Sequence, residues 1–305
     1  MPALICGSLA FDTITTFPGR FAQQILPEQV HILNVSFLVP TLRREWGGCA
    51  GNIAYTLKLL GGEPVILAAL GSDGDEYISR MKGLGIDTSQ IMSAADHYTA
   101  QAIIITDQDN NQITAFHPGA MSLAHEAAVP TRQQRADLKI GIIAPDGRVA
   151  MGEHAKQMHE QGIPFVFDPG QQLPQFDGAE HREILGMARW VAVNDYEARM
   201  LCERTGESLT EISQRPNIDG IVVTLAEHGC EVWHRGVRTP VAGVEAQEVV
   251  DPTGCGDAFR AGLLFGLERG WALARAAALG NRLGALKIAH RGGQNHRFAP
   301  SDMLE

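Results

Sequence analysis

Six short apolar runs, most of them separated by helix-length segments, constrain this chain more than any other feature. They are ALIC (3–6), VILAAL (65–70), KIGIIA (139–144), PFVF (164–167), WVAV (190–193) and IVVTL (221–225). Each is bounded by turn residues or rich in β-branched ones, and apolar on both faces, as a strand covered on both sides must be. Helix-like stretches lie between them: NIAYTLKLLG (52–61), GEHAKQMHEQG (152–162) and DYEARMLCERTG (195–206). These finish in Gly, which suits a left-handed C-cap. Alternation at this interval predicts βαβ units and a mainly parallel, doubly wound α/β sheet.

Two regions break the rhythm. Residues 9–45 hold little helical signal but include alternating segments such as VHILNVSFLV (30–39). Within 96–117, YTAQAIIITD and NQITAFH read as two strands joined at the turn-rich DQDNN. A small β-structure built from these two insertions is expected beside the main sheet.

Composition narrows the partners. A formal charge of −10 argues against nucleic acid or an acidic membrane surface, yet leaves room for a phosphate-bearing small ligand held by backbone dipoles. The five cysteines include no C-x-x-C pair, which favours reduced thiols over a disulfide framework or a zinc site. No secretory leader or membrane-spanning run is read, so a cytoplasmic location is expected.

The chemistry concentrates in VVDPTGCGDAFRAGLL (249–264). A helix beginning here would open on Thr253, Gly254, Cys255 and Gly256, whose free N–H groups at the positive end of the dipole suit an anion. A cap needs one polar residue, whereas this turn carries two glycines. Asp257 beside an anion cradle suits phosphoryl transfer, with the amides holding developing charge and the carboxylate accepting a hydroxyl proton. In WGGCAGNIAYTLKLLGG (46–62), Gly47, Gly48 and Gly51 are expected to precede a helix that Asn52 opens, its amide supplying both a donor and an acceptor for vicinal hydroxyls. GSLAFD (7–12) puts Ser8 and Asp12 beyond a strand's carboxyl end, where open α/β sheets bind ligands. In NDYE (194–197), Asn194 and Glu197 could order water around magnesium or simply cap a helix. TLAEHG (224–229) ends a strand in a turn suited to a nucleotide's edge.

Together GGCAGNIA, NDYE and DPTGCGDAFRAG resemble the ribokinase/PfkB family of sugar and nucleoside kinases, in the expected order and over nearly the whole chain. SFLVPTLRREWGGCAGN, QITAFHPGAM and DPGQQL make the likeness strongest to bacterial adenosine and broad-specificity nucleoside kinases. The resemblance implies one three-layer, Rossmann-like α/β unit over 1–305 with a β-sheet lid from about 9–45 and 96–117. It also implies ATP and magnesium, with potassium as a candidate activator. On this likeness Asp257 is the catalytic base, and the backbone of Gly254, Cys255 and Gly256 the anion hole. Asp12, Gly48 and Asn52 match the positions that hold ribose hydroxyls. Ser8, Ser36, Phe116 and Gln172 are further acceptor-site candidates, Phe116 for stacking on a base. Asn194, Thr224, Gly229 and Asn281 match the ATP side, and Glu197 the magnesium side, through water. Cys255 stands where the family most often has alanine, and its place at a helix N-terminus predicts an activated thiol.

The implied reaction is ATP-dependent phosphorylation of the 5′-hydroxyl of adenosine or a related nucleoside, a salvage step. A ribokinase- or fructokinase-like sugar kinase is the alternative, and a catalytically silent nucleoside-binding protein the alternative of another class. Intact Asp257 between its glycines argues against silence. A lid left as a bare sheet exposes edges and an apolar face, which points to a homodimer through the lid.

Overall fold

Burial on both faces is what the six apolar runs require, and each supplies a strand to one nine-stranded sheet. The computed structural model describes residues 2–25, 34–109 and 111–304. Its strands are β1 (Pro2–Cys6), β2 (Ala10–Thr16), β3 (Thr41–Gly47), β4 (Glu63–Gly71), β5 (Asp87–Ala94), β6 (Ala100–Thr106) and β7 (Gln112–His117). The second half adds β8 (Ile140–Ile143), β9 (Phe165–Phe167), β10 (Trp190–Asn194), β11 (Gly220–Thr224), β12 (Cys230–His234) and β13 (Val237–Val241). The large sheet runs β13-β12-β11-β10-β9-β8-β1-β4-β5. All its pairings are parallel except those of β12 and β13.

Successive residues of β1 feed opposite sides of this sheet, as the period of two demands. Ala3 and Ile5 enter one core with helices α1 (Cys49–Leu59) and α2 (Asp75–Gly83). Leu4 and Cys6 enter the other with α3 (Arg148–Glu160), α4 (Gly178–Met187), α5 (Asp195–Thr205) and α6 (Leu209–Ser213). Helices α7 (Cys255–Glu268) and α8 (Leu273–Lys287) join the first side, and the short α9 (Pro300–Leu304) packs against α8. The result is the expected three-layer α/β architecture.

The small sheet is separate and has the order β3-β2-β6-β7. Its β2–β6 pair is parallel and its two outer pairs are antiparallel. Asp12, Ala102 and Phe116 pair across it and so share one face; Leu42, Thr15, Ile105 and Ile113 share the other.

Several local expectations need correction. In the alternating stretch 30–39, residues 30–33 lie outside the described residues and 34–39 form no strand; the strand starts at Thr41. TLRREWG hides its pattern because it is an edge strand with charged side chains on both faces, Arg44 stacking 3.5 Å over the Phe11 ring. Helix α1 begins at Cys49, so Gly51 and Asn52 lie inside its first turns, and α3 begins four residues before the predicted start. The strands β5 and β13 at the two edges, and β12 beside β13, are polar or broken by Pro240, carry no apolar run and were not expected.

Candidate active site

The loop leaving β1 and the first turns of α1 and α7 converge beyond the carboxyl ends of the strands. Gly254 precedes α7 with φ 79°, a left-handed conformation that costs an L side chain energy and glycine nothing. The Cys255 amide donates to Pro252 O at 3.1 Å and the Thr253 amide to Asp251 Oδ1 at 2.9 Å. Among the described residues, the amides of Gly254 and Gly256 meet no acceptor and remain open to an anion. Gly48, at φ 87°, precedes α1, and a Cβ there would stand 2.5 Å from Ser8 O. That contact lets α1 sit directly on the β1–β2 link: Ser8 Oγ accepts the Cys49 amide at 3.2 Å and Ser8 O the Ala50 amide at 3.0 Å.

Two clefts meet here. The first, of about 590 Å³, has a polar end formed by Ser8, Asp12, Gly48, Asn52 and Asp257. Its apolar side carries Ala10, Ala102, Phe116 and Met121, and Gln172 also lines it. The second, of about 410 Å³, takes in Asp168, Asn194, Asp195, Glu197, Thr224 and Arg260. Both are lined by Cys49, Pro145, Gln171, Gly256 and Asp257. Asp257 therefore stands at the junction.

The junction carboxylate is held by a chain of amides. Asn52 Nδ2 donates to Asp257 Oδ2 at 2.8 Å, and Gln294 Nε2 donates to Asn52 Oδ1 at 3.2 Å and to the Tyr77 hydroxyl at 2.7 Å. Tyr77 in turn donates to Gly47 O at 2.7 Å. Burial raises the Asp257 pKa from 3.8 to about 6, with Asp168 adding to the rise and the Asn52 hydrogen bond opposing it. Asp12 is likewise raised to about 6, first by burial and then by the charges of Asp257, Glu45 and Asp251. A carboxylate poised near neutrality suits a general base.

The nucleotide-side candidates divide into two groups. Asn194 and Thr224 are register partners at the ends of β10 and β11, both lining the second cleft. Asn194 and Glu197 form a reciprocal capping box: Asn194 Oδ1 accepts the Glu197 amide at 2.7 Å, and Glu197 Oε2 accepts the Asn194 amide at 2.8 Å. Gly229 and Asn281 line neither cleft; they meet instead at the segment after β13, where Asn281 Nδ2 donates to Ala242 O at 2.9 Å. Ser36 is exposed and lines neither cleft. No group of three or more His, Cys, Asp or Glu side chains poised to hold a metal exists among the described residues. A phosphate-bound magnesium ion needs fewer, since it keeps waters and takes one or two carboxylates. Asp195 and Glu197 at the mouth of the second cleft fit that demand.

The Cys255 thiol is not activated. Burial pushes its pKa up to about 11, and its Sγ lies 3.9 Å from Asp251 O as a weak donor. Desolvation disfavours the thiolate, and the Asp251 and Asp257 charges add to that against the opposing charge of Lys287. Sequence reasoning also passed over Arg260, Asp168 and Gln294. Arg260 is buried and bonds both Asp168 oxygens at 2.9 and 3.0 Å, with Glu197 at 3.9 Å. Arg260 and Asp168 lie inside stretches already singled out, DAFRAG and DPGQQL, where a paired charge in an apolar context was the available signal. Gln294 sits in a C-terminal loop with no motif to mark it.

Comparison with known proteins identifies the family. The profile of the pfkB family carbohydrate kinases matches residues 22–299. A nucleoside kinase of Methanocaldococcus jannaschii is 28% identical over 265 residues, 86% of this chain and 85% of its own length. The structure of Burkholderia thailandensis nucleoside kinase in complex with inosine is 48% identical, with a TM-score of 0.87 over 99% of this chain and 95% of that one. Its complex with ADP-inosine gives 49% identity and a TM-score of 0.84, over 99% and 93%.

Proposed function

We propose that this chain, which belongs to the pfkB family of carbohydrate kinases, transfers the γ-phosphoryl group of ATP to the 5′-hydroxyl of adenosine or a related nucleoside. The observation that carries the reading is the position of Asp257 and Gly256 on the shared wall of two clefts. The acceptor occupies the first cleft, with its ribose hydroxyls on Asp12, Gly48 and Asn52 and its base along Ala102, Phe116 and Met121. ATP lies in the second, against Asn194 and Thr224. Asp257 takes the proton of the attacking hydroxyl as the new P–O bond forms and ADP leaves. The amides of Gly254 and Gly256 and the guanidinium of Arg260 face the charge that develops on the transferred group. Magnesium, when bound near Glu197 through water, supplies charge neutralisation of the phosphates.

The nucleoside assignment is supported by the two-ended character of the first cleft. A free pentose would satisfy the polar end and leave the Phe116 side in contact with water. The named nucleoside kinases among its relatives, one of them solved with inosine, support the same reading. The small sheet acts as a lid that excludes water from the transfer, which limits ATP hydrolysis. Its opposite face exposes Leu42, Ile103 and Ile113, which supports a homodimer through the lid; sedimentation showing a monomer at micromolar concentration would remove that element. No described helix is long and apolar enough to cross a membrane.

ADP release measured with adenosine, inosine, guanosine, cytidine, ribose and fructose tests the reading. Nucleosides should give the higher kcat/KM. A preference for ribose or fructose would make the protein a sugar kinase, and no release with any of them would leave it a binding protein.

A further inference from the structure

A fully buried lysine lies directly behind the anion-binding turn. Lys287, in the last turn of α8, is fully buried, and its Nζ donates to Asp251 O at 2.7 Å and to His290 O at 3.0 Å. A lysine at a helix C-terminus ordinarily satisfies its own helix's last carbonyls and extends its ammonium to water. This one is turned inward, and one of its acceptors belongs to a segment 36 residues earlier in the chain.

That segment is the stem of the anion-binding turn. The Asp251 carboxylate accepts the Thr253 amide at 2.9 Å and the Gly292 amide at 2.8 Å. The Val250 and Asp251 amides both reach Ile288 O, at 2.9 and 3.0 Å. The Asp251 carbonyl oxygen is then oriented by Lys287, with the Cys255 thiol as a weak second donor. Three residues on, Gly254 takes its left-handed conformation and the open amides begin. Nothing else in the described structure carries a positive charge to this carbonyl.

We propose that the Lys287 side chain is a built-in monovalent cation of the phosphoryl-transfer site, coordinating the carbonyls of Asp251 and His290 and so fixing the turn that presents the Gly254 and Gly256 amides. An ammonium bound to carbonyl oxygens does the work of a small alkali cation without having to be recruited from solution. Its charge stands on the protein side of the turn, opposite the anion, where it adds to the electrostatic stabilisation of the transferred group. Burial lowers its pKa from the usual lysine value, while Cys255, Asp251 and Asp257 hold it up. His296 feels the same charge, since Lys287 contributes, after burial, to depressing its pKa to about 3. Lys287 is thus a positioning residue acting through Asp251, and the inference rests on the kinase reading above.

The test compares Lys287→Ala with Lys287→Met in buffers containing choline, sodium, potassium or ammonium chloride at about 100 mM, enough to saturate weak cation sites while screening all variants equally. Loss of an oriented anion hole lowers kcat with little change in acceptor KM, so K287A in choline should lose about 10- to 100-fold in kcat. Potassium or ammonium should restore K287A by about tenfold or more, because either fits the vacated space. They should restore K287M little, because its side chain refills that space. Melting temperature gives a second readout: potassium or ammonium should raise that of K287A relative to choline and leave wild type unmoved. A folded K287A that keeps kcat within about threefold of wild type overturns the proposal, as does one that no small cation rescues. If K287A does not fold, K287M decides by its kcat alone: a value within about threefold of wild type overturns the proposal. If wild type itself releases no ADP with any acceptor, the kinase reading fails, and the cation-dependent melting of K287A still judges the lysine.

Discussion

Asn52 Nδ2 and Asp257 Oδ2 lie 2.8 Å apart, joining the first turns of two helices 205 residues apart in the chain. The bond puts the candidate ribose-binding amide and the candidate base in direct contact. It also gives each a measurable effect on the other.

Asp257→Asn should fold, bind ATP and lose about 10²- to 10⁴-fold in kcat, the usual worth of general-base assistance. Retention of more than roughly a tenth of wild-type kcat removes Asp257 from that role. The variant should also melt higher than wild type near neutral pH. Asp257 has its folded pKa raised above 3.8 to about 6. The native state therefore holds the proton more tightly, and the stability this group contributes at low pH is lost as pH rises toward 6. The gap in melting temperature should shrink as the pH is lowered through that window.

The pH dependence of kcat/KM should show an acid limb near the value of about 6 given for Asp257, with activity rising as the carboxylate ionises. Asn52→Leu removes a donor that favours the ionised form. Its acid limb should move upward by about one pH unit, the rough worth of a charge-assisted hydrogen bond. An unmoved or lowered limb would separate Asn52 from control of the base.

Acceptor selectivity should divide along the first cleft. A stacked base is worth about 1–3 kcal/mol, favouring adenosine over ribose by roughly 5- to 150-fold. Phe116→Ala should cost adenosine more than ribose, whereas Asp12→Ala should weaken both together. Equal losses for the two acceptors in F116A would place the base elsewhere.

Alkylation should be slow at Cys255, because burial holds its thiol near a pKa of about 11. Iodoacetamide near neutral pH should modify it more slowly than a free cysteine, by about tenfold or more in proportion to the lost thiolate. Cys255→Ala should stay active. Rapid labelling of Cys255, mapped by peptide mass, would restore the activated thiol.

The sequence exposed what repeats and what is chemically unusual. Strands buried on both faces announce themselves as apolar runs, which is why β1, β4, β8, β9, β10 and β11 were visible. Edge strands do not: β3 carries Thr41, Arg43, Arg44 and Glu45, and β13 carries Arg238 and Pro240. Asp257 and Asn52 were legible because glycines surround them. Gln294 was not, since its role comes from contacts with Asn52 and Tyr77 made 242 and 217 residues away. Lys287 was equally silent, because nothing in a lysine near a helix end says that it turns inward. The thiol was misjudged because a helix N-terminus can be read from sequence, whereas desolvation must be seen in space.

The second cleft is lined wholly by the large sheet's loops and helices, while the first borrows Ala10, Asp12, Ala102 and Phe116 from the small one. On the proposed function, donor handling and acceptor choice fall to separately mutable parts of one chain. Substitutions along β6 and β7 would then retune which alcohol is accepted while leaving the lining of the second cleft unchanged. A scaffold divided in this way would let acceptor preference change within one four-stranded sheet while the nine-stranded sheet and its loops stay as they are.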